Sequence, residues 1–226
     1  MGSSHPLRTG RAMRTVVGVF GQLAALAGME HGLGEILQGP VAPEGVVIRS
    51  WPGHEAFEIV GGEPAMTLIP NLLVSGVLTV VVSTVLAVWA VTGVQRRHGS
   101  LVLVGISLLL LAVGGGFGPP LLGVILGIGA SGPGVPPRKP GANTRVMARI
   151  WPWALGAGVT GYLGLVPGTL ALHAVWGSPP DALVYGLIAM AFSGVLLALA
   201  GARARYRLDA WPAPARAPRR RSGTLH

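Results

Sequence analysis

The stretch Gly114-Gly115-Gly116-Phe117-Gly118-Pro119-Pro120 decides the fold. It interrupts an uncharged run over 101–131, which is long enough for a single tilted crossing, since about 20 apolar residues cover about 30 Å of hydrocarbon. Glycine is a weak helix former and proline removes a backbone donor, so a continuous helix through Gly114, Gly115, Gly116, Gly118, Pro119 and Pro120 is disfavoured. Two prolines directly after the glycines suit the first turn of a new helix. The run therefore reads as a broken hairpin, 101–115 going one way and 119–131 returning, each arm about 20 Å at 1.5 Å per residue.

Further uncharged or nearly uncharged runs flank it, over 15–29, 65–95, 150–180 and 182–202. With the hairpin they give an all-α, polytopic helical membrane protein of about six membrane segments. The expected division is a cytoplasmic N-terminus (1–14), a transmembrane helical domain (15–202) with an extracytoplasmic loop at 39–65 and a cytoplasmic loop at 132–149, and a basic cytoplasmic tail (203–226). Charge placement supports this: 16 of the 17 basic residues fall inside and Arg49 alone outside, whereas seven of the eight acidic residues fall outside and Asp209 inside. A single crossing at 101–131 would put the tail outside, against the positive-inside rule. The expected location is a bacterial inner membrane with both termini cytoplasmic. Three arginines, an apolar run and Ala25-Leu26-Ala27 also resemble a secretory signal. The apolar character continues through Gly34, Ile36 and Leu37, as an uncleaved first helix would.

Composition narrows the chemistry. Of 226 residues 50% are apolar and 11% charged, so a soluble domain is excluded. Glycine and proline are abundant (36 and 19), but the many large apolar residues argue against disorder. No cysteine is present, which removes disulfides, Cys-ligated zinc, iron–sulfur clusters and thiol redox relays. All basic residues except Lys139 are arginine, in an Ala/Gly/Pro-rich background that points to a GC-rich bacterial genome. The net charge of +9 does not indicate nucleic acid, because topology accounts for it and no recognition motif accompanies it.

Small residues recur at four-residue spacing: Ala24, Gly28, Gly32; Ser75, Thr79, Ser83; Gly123, Gly127; Gly156, Thr160, Gly164, Gly168. Such faces let helices approach closely in lipid, within one bundle or between subunits of a homo- or hetero-oligomer. Pro167 should kink its segment. Trp151, Trp153 and Trp176 read as interfacial anchors, and Arg219-Arg220-Arg221 as a contact for anionic lipid headgroups.

The outer side gathers the polar residues. Glu30, His31 and Glu35 end the first helix, His54, Glu55, Glu58 and Glu63 lie in the loop, and His173 ends the fifth segment. His31 and Glu35, four apart, share a helix face and are candidate ligands for one divalent metal, with zinc, manganese or iron suiting nitrogen and carboxylate donors. The loop carboxylates read as solvation. Glu30, His31 and Glu35 sit deeper, where ionisable residues are rare, paired and often functional, and they can equally clamp the Gly61-Gly62-Glu63-Pro64 turn. His173 is a candidate third partner. The P-loop and nucleophile-elbow patterns are absent, and Gly127-Ile128-Gly129-Ala130-Ser131-Gly132 matches a dinucleotide fingerprint with no strand before it.

The segments Glu30-His31-Gly32-Leu33-Gly34-Glu35-Ile36-Leu37-Gln38-Gly39, Gly62-Glu63-Pro64-Ala65-Met66-Thr67-Leu68-Ile69-Pro70-Asn71 and 114–120 together resemble an uncharacterised group of small bacterial multi-pass membrane proteins. The resemblance spans roughly the first 130 residues and implies membrane location, with no activity attached. The function expected from the residues is a non-enzymatic small-solute or ion permeation or sensing module, with the polar cluster binding a cation or closing a gate. A metal-dependent membrane enzyme using the same cluster, and a structural subunit of a membrane complex, are the alternatives.

Overall fold

The computed structural model describes residues 10–58, 61–131, 140–177 and 179–211. The expectations for Arg8, Arg138, Lys139, Trp176 as an anchor and the arginines at 216–221 lie outside what is described. The fold is helical: α1 (Arg11–Gln38), α2 (Glu55–Glu58), α3 (Leu72–Thr92), α4 (Gly99–Ala112), α5 (Gly118–Ala130), α6 (Ala142–Leu163), α7 (Thr169–Trp176) and α8 (Asp181–Ala210). Three of them, α1, α3 and α8, with 28, 21 and 30 residues, are long and apolar enough to cross a membrane. The all-α expectation needs one amendment. Inside the loop at 39–65 and just beyond it, β1 (Val47–Arg49) and β2 (Pro64–Met66) pair antiparallel, Ile48 opposite Ala65.

The break falls where the glycines and prolines stand. Helix α4 stops at Ala112, and α5 starts at Gly118 with prolines in its first turn. Carbonyls at the end of α4 find donors in the break, the loop and α3. Gly115 N–H bonds to Leu110, Leu68 N–H bonds to Ala112 at 2.9 Å, and the hydroxyls of Ser75 and Thr79 both donate to Val113, at 2.7 and 2.6 Å. Thr67, beside Val113 in a single β-bridge, carries the loop down onto the break. The hydroxyl stripe of α3 therefore serves as a cap for a neighbouring helix.

The small-residue faces are used inside the bundle. A Cβ on Gly28 would lie 2.4 Å from Ser83 Oγ, one on Gly32 2.8 Å from the Gly76 carbonyl, and one on Gly123 2.1 Å from Ser107 Oγ. The stripe expected on the fifth segment is used only in part, Gly164 packing on Leu187 of α8. Gly156 and Thr160 are exposed, and α6 meets α8 through Ala154, Gly158 and Gly161, with Gly158 against the backbone of Gly194. The core between α1, α3, α4, α5 and α8 is filled by Phe20, Leu86, Leu103, Leu110, Leu126 and Val195. At Pro167 the chain widens into a π-helical turn, Gly164–Gly168, before α7, which is the irregularity that a missing backbone donor produces.

The element ends sort into two sides. At one, Arg14 donates to Gln95, Gly10 packs on Tyr206, and Gly201 meets Met147 and Trp151. Arg203 also lies there, donating to the carbonyls of Ile128 and Gly129 at 2.9 Å and so closing the C-terminus of α5. Helix α8 continues through position 203, where the tail is expected to begin, to Ala210. This side holds Arg11, Arg14, Arg96, Arg97, Arg145, Arg149, Arg203, Arg205 and Arg207. The opposite side holds the break, the β-ladder, Arg49 and every acidic residue except Asp209. Exposed apolar side chains cover the outer face of α3 (Val74, Val77, Val81, Val85, Val88, Val91), and Trp153 is 81% exposed.

Candidate functional site

Helix α1 brings Glu30, His31 and Glu35 to the side where its chain neighbours are the break and the β-ladder. His31 is 3% exposed and Glu35 0%. The ring of His31 is held from both nitrogens: Nδ1 lies 2.8 Å from Ser50 Oγ, and Nε2 lies 3.0 Å from Glu63 Oε2. Ser50, fully buried at the end of β1, is fixed in turn, its carbonyl accepting from Gln38 Nε2 at 3.0 Å and its N–H bonding to the carbonyl of Glu63 at 3.1 Å. A hydroxyl can donate or accept, so Ser50 supports the ring whichever nitrogen carries the proton.

Glu63 reaches His31 because of a turn with an unusual backbone. Gly61, Gly62 and Glu63 have φ of 68°, 76° and 57°, and Glu63 is a non-glycine residue in the left-handed region. Strain of this kind, of order 1–3 kcal/mol, persists where the surroundings over-determine it and concentrates at functional sites. Antiparallel pairing of Arg49 with Pro64, next to Glu63, supplies that determination.

Glu30 completes the group. One donor atom from each of Glu30, His31 and Glu63 lies within 4.8 Å of the others. The buried indole Nε1 of Trp51 lies beside the Glu30 carboxylate. Trp51 itself stacks on Phe57 at 5.1 Å, and His54 sits at the edges of both rings, so His54 belongs to an aromatic cover over the site and not to the site.

The cluster forms the polar end of a cavity of about 200 Å³. Its remaining walls are mostly apolar, from α5 (Leu122), α8 (Ile188, Phe192, Val195) and the π-helical turn (Leu165), with Phe117 at the break and the phenol of Tyr162.

Of the residues singled out from the sequence, Glu30 and His31 come together, but with Glu63 as third partner. Glu35 points to the other side of the same break. Both its oxygens lack a partner among the described residues, and the Ser75 proton beside it is already given to the Val113 carbonyl. His173 lies on α7 and is not among the converging donors. Glu63, expected among the solvated loop carboxylates, is instead the partner of His31, and in the sequence only its place in a Gly-Gly-Glu-Pro turn hints at this.

The break is shaped around these side chains. Gly114 and Gly116 have φ of 117° and 71°, and a Cβ on Gly114 would lie 2.2 Å from Glu35 Oε1, one on Gly116 2.2 Å from His31 Nε2. Alanine at Gly116 should therefore cost about 2 kcal/mol or more from backbone strain and overpacking. Alanine at Gly105, inside α4 with nothing within 4 Å, should be neutral or slightly stabilising. Thermal unfolding of the two purified variants beside the parent chain measures this; equal melting temperatures would refute the packing of His31 on the break.

No family model, curated protein or solved structure matches the chain.

Proposed function

We propose that the chain is a multi-pass protein of a bacterial inner membrane, with α1, α3, α4, α5, the α6–α7 segment and α8 as its six membrane segments and both ends on the arginine-rich side. On the other, extracytoplasmic side, Glu30, His31 and Glu63 bind a divalent cation at the head of the apolar cavity, and the protein works as a non-enzymatic permeation or sensing module. The single observation that carries this is the convergence of three donor atoms within 4.8 Å in a half-buried to buried setting. Around a tetrahedral ion with ligand distances near 2.0–2.1 Å, donor atoms stand about 3.3 Å apart, so small side-chain adjustments close the site. Imidazole and carboxylate donors suit zinc, manganese or iron. With a cation on Nε2, His31 Nδ1–H donates to Ser50, the outer-shell support that orients metal-binding histidines.

A second reading, a metal-dependent membrane enzyme, is favoured by one feature. Three protein donors facing a cavity leave a coordination position open, as catalytic zinc sites do and closed structural sites do not. A clamp without metal is the third reading, since the His31–Glu63 pair alone ties α1 to the turn.

Elemental mass spectrometry of the purified chain should find about one equivalent of zinc, manganese or iron. His31→Ala should lose it, Ser50→Ala should weaken affinity about 10–100-fold, and Glu35→Gln should keep it. Metal absent from the parent chain, also after incubation with zinc, would leave only the clamp. For topology, the lack of cysteine allows Glu58→Cys, Arg97→Cys and Arg145→Cys to be probed singly with an impermeant maleimide on intact cells. Only Glu58→Cys should label; labelling at either arginine position would overturn the six-segment arrangement.

A further inference from the structure

The cavity is amphipathic in a directed way. Its ionisable groups gather at one end, where Tyr162 stands beside Glu30 and Glu63, while Leu122, Ile188, Phe192 and Val195 line the rest with Thr169, whose hydroxyl donates to the Leu165 carbonyl. Phe117, 44% exposed, gives the rim an apolar edge at the helix break. A cavity of about 150 Å³ lined by aliphatic and aromatic residues houses six benzene carbons in another protein, so 200 Å³ corresponds to about eight.

We propose that this cavity binds a medium-chain carboxylic acid of about eight carbons, with its carboxylate closing the open coordination position of the cation and its chain lying among Leu122, Ile188, Phe192 and Val195. The inference rests on the cation reading above and names the ligand class of the same site. The head must be an oxygen donor, because hard or borderline dications held by carboxylates take further oxygen ligands and repel an ammonium group. The phenol of Tyr162 is a donor suited to an anionic oxygen, and it would add a charge-assisted hydrogen bond to the bound carboxylate. The body must be apolar, because the walls beyond that end offer almost no polar partner, and a polar body would lose its hydration without compensation. A short acid leaves the apolar walls uncovered; an alcohol of equal length is a weaker ligand for the cation.

Calorimetric titration of the zinc-loaded full chain in lipid nanodiscs, corrected with empty nanodiscs, separates these contributions by using octanoate, acetate and octanol as probes. Octanoate should bind one to one and at least about tenfold tighter than either of the others. His31→Ala should abolish the preference for octanoate over octanol. Ile188→Trp and Leu122→Phe, which fill the cavity away from the cluster, should weaken octanoate at least about tenfold while retaining the zinc equivalent. Zinc-loaded chain that binds octanoate no better than acetate, or filled variants that hold zinc and bind octanoate as the parent does, would overturn the proposal and leave the cation site standing. Failure to hold zinc at all would instead remove the cation reading on which it rests.

Discussion

Backbone that is not helical must have its carbonyls and N–H groups satisfied by protein when it lies at membrane depth, because lipid offers no partners. In the proposed six-segment arrangement the break between α4 and α5 is where this constraint acts, and the surroundings meet it. The arms are short, 14 and 13 residues, about 20 Å each, so in that proposed arrangement the break lies below the level that a full crossing would reach. The loop at 67–68 descends to bond Ala112, Ser75 and Thr79 on α3 bond Val113, and the glycines let the chain turn within this space. The same glycines leave room for Glu35 and His31 to pack directly on the backbone. A structural necessity thus creates the polar niche in which the candidate site is built.

Much of this was legible in the chain itself. Glycine and proline at 114–120 marked the break because their backbone preferences are local and need no tertiary context. Arginine placement marked which ends of the segments lie together, and among the described residues the basic and acidic side chains do sort to opposite sides, Arg49 and Asp209 apart. Glu30 and His31 stood out as ionisable residues continuing an apolar helix. Other features depend on contacts distant in sequence. Glu63 joins His31 through three successive left-handed residues and a three-residue ladder, a pairing that no period in the sequence announces. The α6 face that packs is set by where α8 offers Gly194, and counting small residues on α6 alone selects the wrong stripe. Arg203 looks like one more tail charge until the end of α5 supplies carbonyls for it.

The site combines features that have separate physical causes. His31 is oriented by Ser50, Ser50 is fixed by Gln38 and by the ladder, and Glu63 is delivered by a strained turn. An isolated ion pair buried this way contributes little net stability, because desolvation offsets attraction. The hydroxyl of Ser50 on Nδ1, the ring nitrogen away from Glu63, is the kind of support that the proposed cation reading calls for.

The most direct test is X-ray absorption spectroscopy at the zinc edge of the chain loaded with one equivalent of zinc. The account predicts a first shell of nitrogen and oxygen at about 2.0–2.2 Å with the outer-shell scattering of a single imidazole, and loss of that scattering in His31→Ala. An all-oxygen shell with no imidazole signature, or a spectrum unchanged by His31→Ala, would contradict it.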